Sequence, residues 1–153
     1  MCLLDANPQA LRDTQPKLLA EFPQASVHTA QADIADEGQA QAAVQTAVAA
    51  LGGLDVLVNN AAMRNYAALA DATPAEWQAM VGVNLVGTAT MCRLCLPDLR
   101  ASGRGSIVNV SSAHALIGRK GMGLYDSTKA GMLAMTRTLA FEEVQHGVRV
   151  NAV

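Results

Sequence analysis

Short apolar runs alternate with longer segments of helical period along nearly the whole chain, and this alternation restricts the fold more than any other feature. Cys2-Leu3-Leu4 runs to Asp5, Ala25 to Ala30 runs towards Asp33, and Leu54 to Val58 is rich in branched residues. Ser106 to Val110 and Val148 to Val153 complete the set. The segments between them read as helices. Asn7 can cap a helix whose first position suits Pro8. Leu11, Leu18, Leu19 and Phe22 follow at roughly helical spacing, and Pro16 is expected to kink or restart that helix. Ala43, Val44, Ala47, Val48 and Leu51 form an apolar stripe closed by Gly52-Gly53. Thr73-Pro74-Ala75-Glu76 is a capping box that opens a long helical region reaching about Pro97. Another helix runs from about Tyr125 to about Gln145, with Met132, Leu133, Thr136, Leu139 and Ala140 on one face and Gly147 as its stop. Strands separated by helices imply a parallel sheet covered on both faces, the doubly wound α/β plan. Ligands of such sheets lie beyond the carboxyl ends of the strands. The positions to search are therefore Asp5, Asp33, Asn59-Asn60 and Ser111-Ser112.

Composition sharpens this reading. The 153 residues are 51% apolar but only 3% aromatic, so Ala, Val, Leu and Met must fill the core. That suits helices packed closely on buried strands. A net charge of −2 is unlike the basic balance of nucleic-acid or anionic-membrane binders, and neither partner is expected. No apolar run reaches about 18 residues, so no membrane span is expected, and Met1 to Asp5 lacks the basic region of a signal peptide. Three cysteines, an odd count, fit a reducing cytosol, and a cytoplasmic location is expected. Cys92-Arg93-Leu94-Cys95 has redox-motif spacing, but it lies inside a helix amid Met91, Leu94 and Leu96 and is expected to be packing. His28, His114 and His146 have no metal-ligand spacing, and no metal is expected. The chain has no G-x-S-x-G, which argues against an α/β-hydrolase.

Chemistry concentrates at Tyr125 and Lys129. Their i,i+4 spacing places both on one helix face. A phenol with a pKa near 10 exchanges protons poorly at neutral pH, and a neighbouring ammonium favours the phenolate. The pair gains meaning from its context. Ser112 lies 13 residues before Tyr125 at the end of the Ser106–Val110 run, Asn59-Asn60-Ala61-Ala62 follows Leu54–Val58, and Asn84 lies in the long helical region. Together with Asp33-Ile34, Ile107-Val108-Asn109-Val110-Ser111-Ser112, Tyr125-Asp126-Ser127-Thr128-Lys129 and Val148-Arg149-Val150-Asn151, these residues resemble the short-chain dehydrogenase/reductase family over essentially the whole chain.

The resemblance implies a Rossmann-like fold and an oxidoreductase that transfers a hydride between a nicotinamide cofactor and a secondary alcohol or ketone. Tyr125 would be the general acid/base, Lys129 would lower its pKa and bind the nicotinamide ribose, and Ser112 would polarise the substrate oxygen. Ser111 competes with Ser112, but the interval to Tyr125 favours Ser112. Asn84 would hold a water relaying protons to Lys129. Asp33 and Ile34 would line the adenine pocket, with Ala61 among the cofactor contacts. One of Asn59 and Asn60 would face the cofactor and the other pin the sheet, with Asn59 preferred for the cofactor. Ala62 departs from the family's usual glycine. Asp5, followed by no basic residue, would accept the adenosine ribose hydroxyls and repel a 2′-phosphate, so NAD is preferred to NADP.

The same resemblance implies a first strand with a glycine-rich loop and helix, and a later Pro-Gly, substrate loop and last strand, none of which lies within these 153 residues. The chain is therefore expected to be a single partial dinucleotide-binding domain over residues 1–153, an internal fragment that binds NAD poorly and turns over little or nothing, while the full-length parent would be an active homodimer or homotetramer. An inactive fragment, or a non-catalytic binding module on the same fold, is the alternative reading. Loss of a central first strand would leave two apolar strand edges that face each other across a gap or meet directly.

Overall fold

The computed structural model describes residues 1–153. Five short parallel strands and five main helices alternate: β1 (Cys2–Asp5), α1 (Pro8–Glu21), β2 (His28–Gln31), α2 (Glu37–Leu51), β3 (Val56–Asn59), α3 (Pro74–Val81), α4 (Thr88–Ala101), β4 (Ser106–Asn109), α5 (Gly123–Glu143) and β5 (Arg149–Ala152). The strands form two sheets, β1–β2 and β3–β4–β5. Cys2 pairs with His28, Val56 with Ser106, and Ser106 with Arg149. A cavity of about 670 Å³ separates the sheets, lined from one side by Met1 to Asp5 and from the other by Val56 to Asn59. The strands therefore run β2-β1, a gap, then β3-β4-β5. The crossover through α1 moves one way across this order and the crossover through α2 moves back. Right-handed connections then place α1 on one face and α2, α4 and α5 on the other. This is the doubly wound α/β plan, opened at its centre.

Local chemistry explains the element boundaries. Asn7 Oδ1 accepts from the backbone N–H groups of Gln9 and Ala10, capping α1. The Thr73 hydroxyl accepts from Glu76 N while the Glu76 carboxylate accepts from Thr73 N, the reciprocal box read from the sequence. Gly52 ends α2 at φ 76°, a conformation costly for any residue with a Cβ. The strands are shorter than the apolar runs that signal them: β2 begins at His28, not Ala25, and β3 begins at Val56, not Leu54.

Two proline expectations differ from the structure. Helix α1 continues through Pro16, and the second helical region continues through Pro97 to Ala101. Pro16 is exposed, so water can serve the carbonyl its ring leaves without a donor. The stretch Pro74–Ala101 is one continuous helical rod, long and apolar enough to cross a membrane by length and composition, where no such span was expected. In this fold Met80, Met91, Cys92, Cys95 and Leu99 on it are buried. Its middle, Gly82–Gly87, widens to π-helical winding.

The main core joins Ile34, Ala40 and Val44 to Met91, Cys95 and Leu99 of α4, and to Ile107, Val148 and Val150. Gly87 permits a close approach, because a Cβ there would lie 2.9 Å from Ile34 side-chain and backbone atoms. The two helix cysteines belong to this packing. They are 3% and 2% exposed, and burial pushes the Cys92 thiol up to about 11 and the Cys95 thiol to about 12. At the far end of α5, buried Glu143 accepts from Nε and Nη2 of Arg100, which hold its carboxyl below the usual range.

Candidate active site

Helix α5 packs on β5 and reaches the carboxyl end of β4 with an unusually polar inner face. Tyr125, Asp126, Thr128, Lys129 and Thr136 are all buried. Each finds a reason in the fold. The Lys129 side chain runs inward until its ammonium donates to the Val110 carbonyl at 2.6 Å, just past β4. Its residue is 1% exposed, and burial, followed by the charge of Arg64, lowers its pKa. An ammonium has three N–H donors, and the chain accepts only this one. The Lys129 Nζ lies 5.6 Å from the centroid of the Tyr125 ring, so the i,i+4 pair is a real contact. The Tyr125 hydroxyl has the Arg64 guanidinium as its polar neighbour, and its residue is 5% exposed.

The serine choice has a physical answer. Ser111 is buried and its hydroxyl donates to the Lys129 carbonyl at 3.0 Å, tying β4 to α5. Ser112 is only half-buried, and its Oγ accepts from His114 N at 3.1 Å. Its own proton is uncommitted. Ser112, at the mouth of a short turn over Ala113–Ala115, is thus the serine able to donate to a ligand.

Asn84 sits fully buried in the π-helical stretch. Its Oδ1 accepts from Met63 N at 2.7 Å, and its Nδ2 faces the Met63 carbonyl at 3.0 Å and the Thr128 hydroxyl at 3.1 Å. The side chain therefore clamps the loop after β3 to α5. These contacts occupy its amide hydrogens, so the side chain has none left for the water expected between it and Lys129. Replacing Asn84 by Ala should leave the Met63 N–H and carbonyl without partners. We expect a stability loss of about 2–4 kcal/mol by urea titration. A loss below about 0.5 kcal/mol would show that the clamp is dispensable.

The asparagine pair is assigned the other way round from the sequence expectation. Asn59 is 7% exposed, and its Nδ2 donates to Asn109 Oδ1 at 2.9 Å across the paired strands and lies 3.3 Å from Cys92 Sγ. Asn109 in turn donates to the Thr136 hydroxyl on α5. Asn59 is the pin, and Asn60 is the exposed member of the pair. Ile34 also differs: it belongs to the main core, although it lines the cavity as well. Asp5 and Ala61 are exposed and border that cavity at its carboxyl end. One oxygen of Asp5 accepts from Asn7 N. Asp33 is exposed and accepts from Ala35 N. The first-strand carboxylate and the Tyr125–Lys129 pair thus stand at strand ends of the two separate sheets.

Two residues at the site escaped the sequence reading. Arg119 lies 5.6 Å from the Tyr125 ring centroid and pairs with Asp126 at 3.0 Å. Thr128 receives the Asn84 amide and donates to the Tyr125 carbonyl at 2.8 Å. The opposite charges of Arg119 and Asp126 were visible, but six residues of loop and helix start lie between them.

Known proteins resemble this chain in sequence and fold. The family described as short chain dehydrogenase matches residues 1–153. A 3-alpha-(or 20-beta)-hydroxysteroid dehydrogenase of Mycobacterium tuberculosis is 40% identical over 121 residues, which are 79% of this chain and 46% of that protein. The crystal structure of levodione reductase superposes with a TM-score of 0.94 at 30% identity, covering 99% of this chain and 59% of that one. L-Sorbose reductase from Gluconobacter frateurii, solved with NADPH and L-sorbose, gives 0.93 at 26% identity, with 99% and 57% covered. The chain spans about half the length of the curated relatives it matches. With its ordered strand-end residues, its Tyr125–Lys129 pair and a match along all 153 residues, the chain belongs to the short-chain dehydrogenase family.

Proposed function

We propose that this chain carries the catalytic centre of a nicotinamide-dependent oxidoreductase acting on a secondary alcohol or ketone. The observation that carries the reading is Lys129, an ammonium buried beneath the Tyr125 ring with two N–H donors unspent. In the reducing direction, the Ser112 hydroxyl donates to the substrate carbonyl oxygen and Tyr125 delivers a proton to that oxygen as it becomes an alcohol. In the oxidising direction, Tyr125 takes the proton back. The Lys129 charge stabilises the phenolate as the proton leaves.

The residues present fit a nicotinamide dinucleotide at its two riboses. Two free N–H donors on a buried ammonium suit the vicinal hydroxyls of the nicotinamide ribose. The exposed Asp5 carboxylate at the end of β1 suits the adenosine ribose and favours NAD over NADP. Asn60 and Ala61 border the cavity between these points. When bound, the cofactor supplies or accepts the hydride. The test is the change in nicotinamide absorbance on mixing the complete reading frame with either cofactor and a panel of alcohols and ketones. We expect turnover with at least one pair, and faster turnover with NAD. A panel silent with both cofactors would overturn the oxidoreductase reading.

A further inference from the structure

Arg64 is the one cation beside the Tyr125 ring that has neither a carboxylate nor a carbonyl partner. Its guanidinium carbon lies 5.5 Å from the Tyr125 ring centroid. Lys129 and Arg119 lie at nearly the same distance from that ring. Of these three cations, Lys129 is engaged by the Val110 carbonyl and Arg119 is neutralised by Asp126. Four other arginine side chains (Arg93, Arg100, Arg104 and Arg119) each have a carboxylate partner. Arg64 has none. An exposed arginine without a carboxylate partner is ordinary on a surface, but this one is not free to wander. The residues on both sides of it are tied down: Asn84 grips the Met63 N–H and carbonyl, and the Asn65 amide donates to Glu76 at 2.7 Å. Glu76 is itself fixed in the capping box at Thr73. The loop is further joined to the segment before α5 by the bridge between Ala67 and Met122. Arg64 is thus a guanidinium with phenol neighbours, Tyr125 and Tyr66, but no carboxylate, on an anchored backbone.

We propose that Arg64 binds the anionic end of the substrate, and that the substrate is a hydroxy or oxo acid whose carboxylate lies a few bonds from the reacting carbon. The inference rests on the oxidoreductase reading and narrows it. A guanidinium has five N–H donors, and the Tyr125 and Tyr66 phenols that Arg64 meets leave enough of them for a carboxylate in bidentate geometry. The charge ledger points the same way. Three cations surround the phenol and one carboxylate, Asp126, answers them, so the site holds an excess of positive charge that a bound anion would relieve. Arg64 already weighs on Lys129, whose pKa its charge helps to lower. A carboxylate on Arg64 would remove that pressure and support the ammonium where the reaction uses it. Neutral alcohols of the same carbon skeleton would leave Arg64 without a carboxylate.

The experiment pairs an acid with its neutral ester, using acetoacetate and methyl acetoacetate on the complete reading frame, the wild type against Arg64→Met and Arg64→Lys. Calorimetry in the presence of cofactor reads binding, and nicotinamide absorbance reads turnover. We expect the wild type to bind the acid more tightly than the ester. We expect Arg64→Met to lower the acid-to-ester affinity ratio about 30-fold, and Arg64→Lys to restore part of it. Arg64 is exposed, so both variants should melt with the wild type. An affinity ratio unchanged in Arg64→Met, or a wild type that prefers the ester, would overturn the inference. Absence of turnover with every substrate would instead count against the oxidoreductase reading, and the binding ratio would still decide the role of Arg64.

Discussion

Tyr125→Phe is expected to lower kcat about 1,000-fold, with KM changed less than about threefold, when assayed in the complete reading frame. The substitution removes one oxygen and keeps the ring. That ring is 5% exposed and lies within 5.6 Å of Lys129, Arg119 and Arg64, and phenylalanine preserves its face towards all three cations. The lost hydroxyl has the exposed Arg64 guanidinium as its polar neighbour, so no buried partner is orphaned by its removal. Melting should therefore stay within about 2 °C of the wild type. What disappears is the proton transferred to or from the substrate oxygen, an interaction made as the reaction proceeds and not in the resting protein. Hence the loss falls on kcat. Turnover within about tenfold of the wild type would remove Tyr125 from the acid/base role. A large loss accompanied by early melting would mean that the hydroxyl serves the fold.

The contacts that were legible in the sequence are those that local spacing decides. The i,i+4 rule sufficed to place Lys129 on Tyr125, and the Thr73 capping box formed as its residue types require. Ser112 was separable from Ser111 only by counting to Tyr125, and the structure adds the reason: the Ser111 hydroxyl is consumed by the Lys129 carbonyl. Asn59 and Asn60 show where this kind of reading ends. Adjacent strand residues point to opposite faces, so one must turn inward, but which one depends on register with β4. Register opposes Asn59 to Asn109 and buries it. Arg119 and Asp126 were likewise invisible, because a loop must fold back before the two charges meet. The prolines misled for a different reason. Pro16 and Pro97 each cost a backbone hydrogen bond, yet packing of the rest of each helix carries the chain through.

The gap between β1 and β3 leads to the second large expected effect, on association of the 153-residue chain itself. Both strands pair on one side only, and of the 22 residues lining the cavity between them 18 are hydrophobic. Val56 and Val58 on β3 are each 56% exposed, although they sit in the middle of the sheet order. Two strand edges of this kind present rows of backbone N–H and C=O groups spaced to receive one more extended strand, parallel to both. Filling the gap would satisfy both rows and bury apolar surface worth about 1 kcal/mol for each half-exposed valine. A purified 153-residue chain that lacks such a strand is expected to take one from another copy, so sedimentation velocity should show association that rises with concentration, accompanied by uptake of an apolar dye. Val56→Lys together with Val58→Lys should suppress both, because paired lysines on a strand edge oppose a further strand and cost little where water already reaches them. A wild-type chain that remains monomeric and dye-free at about 100 μM, well within the range where exposed edges associate, would show that β1 and β3 are protected as they stand. Association that persists undiminished in the lysine variant would place the contact elsewhere, and the exposed Phe141 and Val144 near the end of α5 would be the next surface to charge.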